Sequence, residues 1–168
     1  MIMNSVSISV TVNIPANQAF HIFVNEINLW WPKEYTWSQD KLHDIYIEGK
    51  ENGLCTEIGP YGFRCDWGRV TFCSEGKRLD LKWQVNPKRE PVPDPEKASD
   101  INIEFSARDN FTLVEFKHFN FENHGNDAGL YCEMLKSEQG WPYILSCYKN
   151  QCEKNYFNQM AGSLISNS

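Results

Sequence analysis

The sequence predicts an α+β fold: a curved antiparallel β-sheet wrapped around one long C-terminal helix, with two short helices after the first strand. Three observations predict it. The stretch Ser137–Met160 carries Trp141, Ile144, Leu145, Tyr148, Cys152 and Tyr156 at helical spacing, which sets them on one stripe, with Lys149, Asn150, Glu153 and Lys154 on the other face. The segments before it alternate apolar and polar residues and are cut by Gly, Pro and Asn, the pattern of half-buried strands joined by turns. The order of elements is strand, two short helices, further strands, then the long helix. A single long helix must bury its stripe against a sheet.

Each element has its own justification. Ser5–Asn13 reads SVSISVTVN, with Val6, Ile8, Val10 and Val12 on one face, a half-buried strand. Pro15 fits a first helical position, and Ala19, Phe20 and Phe23 follow at helical spacing, so a short helix is expected over about 16 to 25. A second piece, Ile27–Trp31, is stopped by Pro32. Residues 33 to 43 are a polar, irregular connection. Asp44–Gly49 and Leu54–Ile58 are short strands, and Tyr61-Gly62-Phe63 is a turn carrying two rings. Arg64–Cys73 is a longer strand whose interior Gly68 predicts a bulge or a close backbone approach, with a switch of facing there. Arg78–Val85 places Leu79, Leu81, Trp83 and Val85 on one face.

Four prolines make Asn86–Ser99 a surface loop between strands. Ile101, Ile103 and Phe105 alternate in the next strand, Arg108-Asp109-Asn110 turns, and Thr112–Phe119 returns with Val114, Phe116 and His118 on one face. Asn120–Gly129 is a polar loop, and Leu130–Lys136 a helical turn. Pro142 fits only near a helix start, so the long helix begins near Gly140 to Pro142.

Bulk properties narrow the function classes. The 168 residues fit a single domain, with a core over about 5 to 158. Aromatic residues make up 14% of the chain, enough ring area to fill a core or line a pocket. The net charge of −6 argues against sequence-independent nucleic-acid binding and against an anionic membrane surface. No apolar run is long enough for a membrane span, and the N-terminus lacks the pattern of a signal peptide. Six cysteines form no CxxC pair and no zinc-ligand spacing, so they read as reduced thiols of a cytoplasmic protein that needs no metal or cofactor.

Several motifs then carry a resemblance. They are Ile14-Pro15-Ala16 with Phe20 and Phe23, Trp30-Trp31-Pro32, Trp67-Gly68-Arg69-Val70, and Arg78-Leu79 through Trp83-Gln84. After these come Asp94-Pro95 running into Ala98-Ser99-Asp100-Ile101, His118-Phe119 with Phe121-Glu122-Asn123-His124-Gly125, and Gly140-Trp141-Pro142. In order and spacing, from about Val6 to about Tyr148, the chain resembles the START-like (Bet v 1-like, SRPBCC) superfamily with the helix-grip fold. Within it, the chain is most similar to small bacterial proteins grouped with the C-terminal domain of the Hsp90 ATPase activator. The resemblance implies a cavity between sheet and helix that takes small apolar or amphipathic ligands in many relatives. Some relatives are enzymes, and some act on a chaperone.

For such a cavity the wall candidates are Trp31, Trp67, Trp83, Phe116, Trp141, Leu145 and Tyr148; the alternative is that these rings pack solid. His118 either meets a ligand, as a hydrogen-bonding or proton-exchanging group, or is a core histidine satisfied by a neighbour. Glu57, where relatives often carry a Glu, is either a carboxylate at the cavity rim or an exposed strand residue. Arg64, Asp66 and Arg69 flank the Gly68 bulge, as an inward-turned pair or a solvated face. His124 is expected in solvent, and His21 and His43 carry no signal. No catalytic residue is assigned, because nucleophile elbows, phosphate loops and metalloprotease motifs are absent. The leading expectation is a binding protein for a small hydrophobic molecule. The alternatives are a chaperone partner and a cavity enzyme using His118.

Overall fold

The computed structural model describes residues 4–166. Its strands are β1 (Val6–Val12), β2 (Asp44–Ile47), β3 (Leu54–Ile58), β4 (Arg64–Ser74), β5 (Arg78–Trp83), β6 (Ser99–Ala107) and β7 (Thr112–Phe119). Its helices are α1 (Ala16–Asn25), α2 (Ile27–Trp30), α3 (Ala128–Lys136) and α4 (Trp141–Ser166). The strands form one curled antiparallel sheet in the order β1-β7-β6-β5-β4-β3-β2.

The register places every inward set opposite another. Val6 faces His118, Ile8 faces Phe116, Val10 faces Val114 and Val12 faces Thr112. Ile101 and Ile103 pair with His118 and Phe116 on one side and with Leu81 and Leu79 on the other. Because side chains alternate with a period of two, a slip by one residue would turn each of these sets into water.

Gly68 marks the bulge its position predicts. Pairing steps from Thr56↔Asp66 to Cys55↔Gly68, which leaves Trp67 opposite no residue and buries both Trp67 and Gly68. A Cβ on Gly68 would lie 2.7 Å from the Lys82 carbonyl oxygen, so the close approach of β5 requires glycine. A second irregularity falls between Val70 and Phe72. Two bulges in one strand increase its twist and bend it around the core.

α4 lies across the concave face. Trp141, Ile144, Leu145, Tyr148 and Cys152 are all buried, and Tyr156 is half-buried. Burying each large apolar side chain stabilises by about 1.5–3 kcal/mol, so this stripe is the main fixing of helix to sheet. Tyr148 also donates its hydroxyl to the Ala19 carbonyl at 2.7 Å, which ties α4 to α1.

Some local expectations are corrected. Pro15 is the residue before α1, extended at ψ 154, because its own carbonyl accepts the bond from the Ala19 N–H. Asn120–Gly129 is not simply a polar loop. Phe121–His124 forms a 3-10 turn that drives the Phe121 ring into the core against His118, with ring centroids 4.1 Å apart. Of the two readings for Arg64 and Asp66 the solvated face holds, with the pair 3.6 Å apart on the outer side of β4.

Candidate ligand-binding site

The sheet, the connection after α2, the proline-rich loop, α3 and the start of α4 leave a cavity of about 560 Å³ at one end of the molecule. Trp67 of β4 and Trp83 of β5 form its floor, and Trp31 joins them from the end of α2. The rings are in contact. Trp31 stacks on Trp67 at 5.8 Å between centroids and 24° between planes, and Trp67 meets Trp83 edge-on at 5.9 Å. The connection after α2 supplies Tyr35 and Trp37, the chain just after β5 and the proline-rich loop supply Val85, Asn86, Pro87 and Arg89, and α3 supplies Leu130, Tyr131 and Met134. Leu130 is 66% exposed and Met134 52%, so apolar side chains stand open at the mouth.

The rim is hydrogen-bonded across. Trp37 Nε1 donates to the Arg89 carbonyl at 2.8 Å, and the Arg89 guanidinium donates back to the Tyr35 carbonyl. Tyr35 in turn donates its hydroxyl to the Gln139 carbonyl at 2.7 Å. Within the wall, Trp83 Nε1 donates to the Tyr131 hydroxyl at 2.7 Å, and that hydroxyl donates to the Val85 carbonyl at 2.6 Å. Burial raises the Tyr131 hydroxyl pKa, which keeps it protonated for this role. Glu57 is buried at 1% exposure and lines the cavity. Its oxygens accept from the Trp37 N–H at 3.1 Å, the Ser38 N–H at 2.8 Å and the Ser38 hydroxyl at 2.7 Å. A buried carboxylate needs such donors. Here they come from the rim, so Glu57 braces the connection that forms one lip of the mouth.

No protein-family model and no curated protein matches the sequence. Solved structures do. An anthrahydroquino-gama-pyrone synthase, Txn09, complexed with SUM, is 25% identical with a TM-score of 0.62, over 87% of this chain and 95% of that one. The self-sacrificing resistance protein CalC from Micromonospora echinospora is 21% identical with a TM-score of 0.62, over 90% and 95%. The Aha1 dimer from Colwellia psychrerythraea is 16% identical with a TM-score of 0.60, over 91% and 97%. The chain has the START-like, helix-grip fold.

A hollow between sheet and α4 is what the sequence predicts; in this helix-grip chain it lies at the start of α4, beside the proline-rich loop, and the space between the sheet and the next turns of the helix is filled. A second void of only about 10 Å³ remains there, bordered by Phe116 and Trp141, no more than the space of one water. Trp31, Glu57, Trp67 and Trp83 line the cavity; Phe116, Trp141, Leu145, Tyr148 and His118 do not. The exposed-strand alternative for Glu57 is overturned by its burial. Sequence reasoning missed Tyr35, Trp37 and the outer face of α3. The available signal was an aromatic pair inside a polar connection, and Leu130 and Met134 four apart on the face opposite Cys132.

His118 is a core histidine of the helix-grip interior. It is fully buried, with Trp141 Nε1 donating to Nδ1 at 2.9 Å and the Ser99 hydroxyl 2.7 Å from Nε2. An indole N–H can only donate, so Nδ1 accepts and Nε2 carries the proton to Ser99. The Ser99 N–H and hydroxyl then both donate to His124 Nε2, at 3.2 and 2.7 Å. His124 is therefore half-buried in a polar chain, not free in solvent, with its ring against Tyr131. Burial lowers the pKa of His118 well below the ordinary value, with nearby His124 adding to the effect, and burial lowers that of His124 too. Both ring nitrogens of His118 are engaged in the core, away from the cavity. Among the described residues no cluster of His, Cys, Asp or Glu is arranged to hold a metal, and no helix is long and apolar enough to cross a membrane.

Proposed function

We propose that this protein binds a small, mainly apolar, ring-containing molecule in the cavity at the start of α4. The observation that supports it is a hollow of about 560 Å³ walled by Trp31, Trp37, Trp67, Trp83 and Tyr131, next to a space beneath α4 that keeps only about 10 Å³. Drug-sized ligands occupy pockets of about 300–1,000 Å³ with few polar groups, and this one falls within that range. The apolar Leu130 and Met134 at its mouth are side chains a bound molecule would cover. The similarity to Txn09, a protein complexed with a ligand, points the same way.

Binding is favoured over catalysis by what the wall lacks. Its buried carboxylate, Glu57, is committed to the rim, and His118 is committed to Trp141 and Ser99. The six cysteines are all free thiols, which fits a cytoplasmic setting.

The test is a thermal-shift screen of aromatic and amphipathic compounds, with mass spectrometry of protein purified without stripping. A ligand at about 100 times its Kd adds about 2.7 kcal/mol to the stability of the native state. Replacing Met134 with Glu at the mouth lowers the response to any hit. A full panel without a shift, with no small molecule carried through purification, overturns the reading.

A further inference from the structure

The charged side chains around the cavity differ in what they have left to bind. Glu57 is buried, and its oxygens already accept from Trp37 and Ser38. Glu133 has a side chain that is 72% exposed, with the Lys136 ammonium at 3.9 Å. Arg89 is the one basic residue among those that line the cavity. Among the described residues it belongs to no ion pair, and its guanidinium donates once, from Nη2 to the Tyr35 carbonyl. The other N–H groups of the fork face solvent at the mouth, since Arg89 is exposed.

The proline-rich loop holds this side chain over the opening. Asn86 Oδ1 accepts from the N–H groups of Lys88 and Glu90, both at 2.9 Å, and the Arg89 N–H donates to the Asn86 carbonyl at 2.9 Å. Arg89 sits in the left-handed region at φ 64, and its carbonyl takes the Trp37 indole N–H. The guanidinium then reaches the opposite lip at Tyr35. Its charge is also felt inside the cavity. Burial raises the Tyr131 hydroxyl pKa, while the Trp83 N–H and the Arg89 charge pull the other way, and neither Glu57 nor Glu133 acts on that hydroxyl.

We infer that Arg89 is the anchoring cation of the site, and that the ligand is an amphipathic anion whose carboxylate meets the guanidinium at the mouth while its apolar body lies inward on Trp67 and Trp83. The inference rests on the binding reading above and adds to it the sign of the ligand's charge and the end that faces out. An arginine fork recognises a carboxylate through parallel charge-assisted hydrogen bonds. The orientation follows from solvation. A carboxylate at the tryptophan floor would lose its water and meet no cation, whereas at the mouth it keeps part of its water and gains the fork. An ammonium group at the mouth would meet a like charge.

The experiment compares three probes on one frame: 2-naphthylacetate, 2-naphthylacetamide and 2-(2-naphthyl)ethylamine, which at about pH 7.5 are anionic, neutral and cationic. Binding of each is measured by titration to the native protein and to Arg89→Gln. The expected result is that the carboxylate binds the native protein about tenfold more tightly than the amide, and the amine binds more weakly than either. In Arg89→Gln the ratio of carboxylate to amide falls to about one. In the native protein the same ratio shrinks as salt is raised from about 0.05 M to about 0.5 M, because an exposed charge pair is screened; this readout needs no variant. Equal affinities for carboxylate and amide, a preference for the amine, a ratio that survives Arg89→Gln, or a ratio indifferent to salt each overturn the anchoring role while leaving apolar binding intact. So do hits from the wider screen that are confined to uncharged and cationic compounds. If the probes and the whole screen are silent, the binding reading itself falls and takes this one with it.

Discussion

Acidification should destabilise this protein through one named residue. His118 is fully buried and neutral, with its pKa held well below the ordinary value of 6.5 by burial and by nearby His124. In the unfolded chain the same ring titrates normally. Below the ordinary value the unfolded state therefore binds a proton that the folded state refuses, so stability is complete above about pH 7 and is lost as the pH falls. One pH unit corresponds to about 1.4 kcal/mol, so with the unfolded ring at its ordinary value the loss from His118 at about pH 5 is at most about 2 kcal/mol. For a chain of this length the corresponding fall in Tm is at most about 4–8 °C. The assay is urea unfolding at a series of pH values from about 8 to about 5, for the native protein and for His118→Gln. A glutamine can accept from Trp141 and donate to Ser99 but does not titrate. The variant starts less stable and loses less stability between about pH 8 and about pH 5, by up to that 2 kcal/mol. His124 remains in both proteins, so its own contribution largely cancels in the difference. Parallel pH profiles for the two proteins, or a His118 titration at the ordinary value by NMR, refute the reasoning.

Two further outcomes follow from the site and the sheet. Glu57→Ala leaves the Trp37 N–H, the Ser38 N–H and the Ser38 hydroxyl without their acceptor and should cost about 3 kcal/mol in urea unfolding; Glu57→Gln, which keeps one carbonyl oxygen, should cost about half of that. Gly68→Ala puts a methyl group 2.7 Å from the Lys82 carbonyl and should destabilise by about 1–3 kcal/mol, whereas Gly162→Ala, with nothing near its Cβ position, should not destabilise in the same assay.

The fold was legible because its signals are local and repeat. The alternation in β1, β5 and β7 names the inward residues, and the registers place those residues opposite one another. Gly68 announced its bulge, and the α4 stripe was readable from spacing alone. The site was legible only in part. Trp31, Trp67 and Trp83 stood out as rings on strands or at a helix end, and the structure brings them together. Which part of the interior stays empty is a matter of how side chains from distant segments fill it. Phe121, arriving from a stretch that reads as polar, packs on His118, and Trp141 packs on Phe116 at 4.5 Å. Together they help close the space beneath α4 and leave the hollow at its end. The outer face of α3 escaped notice because Leu130 and Met134 give a short helix a second apolar face, which periodicity alone cannot assign to a cavity rather than to a core.

The sheet order has a consequence for how the protein is made. β1 pairs with β7 and has no other neighbour in the sheet. During translation Val12 therefore waits for Thr112, about 100 residues later. At synthesis rates of about 5–20 residues per second, that interval is roughly 5–20 seconds. Throughout it a Val- and Ile-rich segment emerges from the ribosome with its backbone unzipped, and closing so long a loop comes late in assembly. The nascent chain thus holds β1 open until β7 has been made.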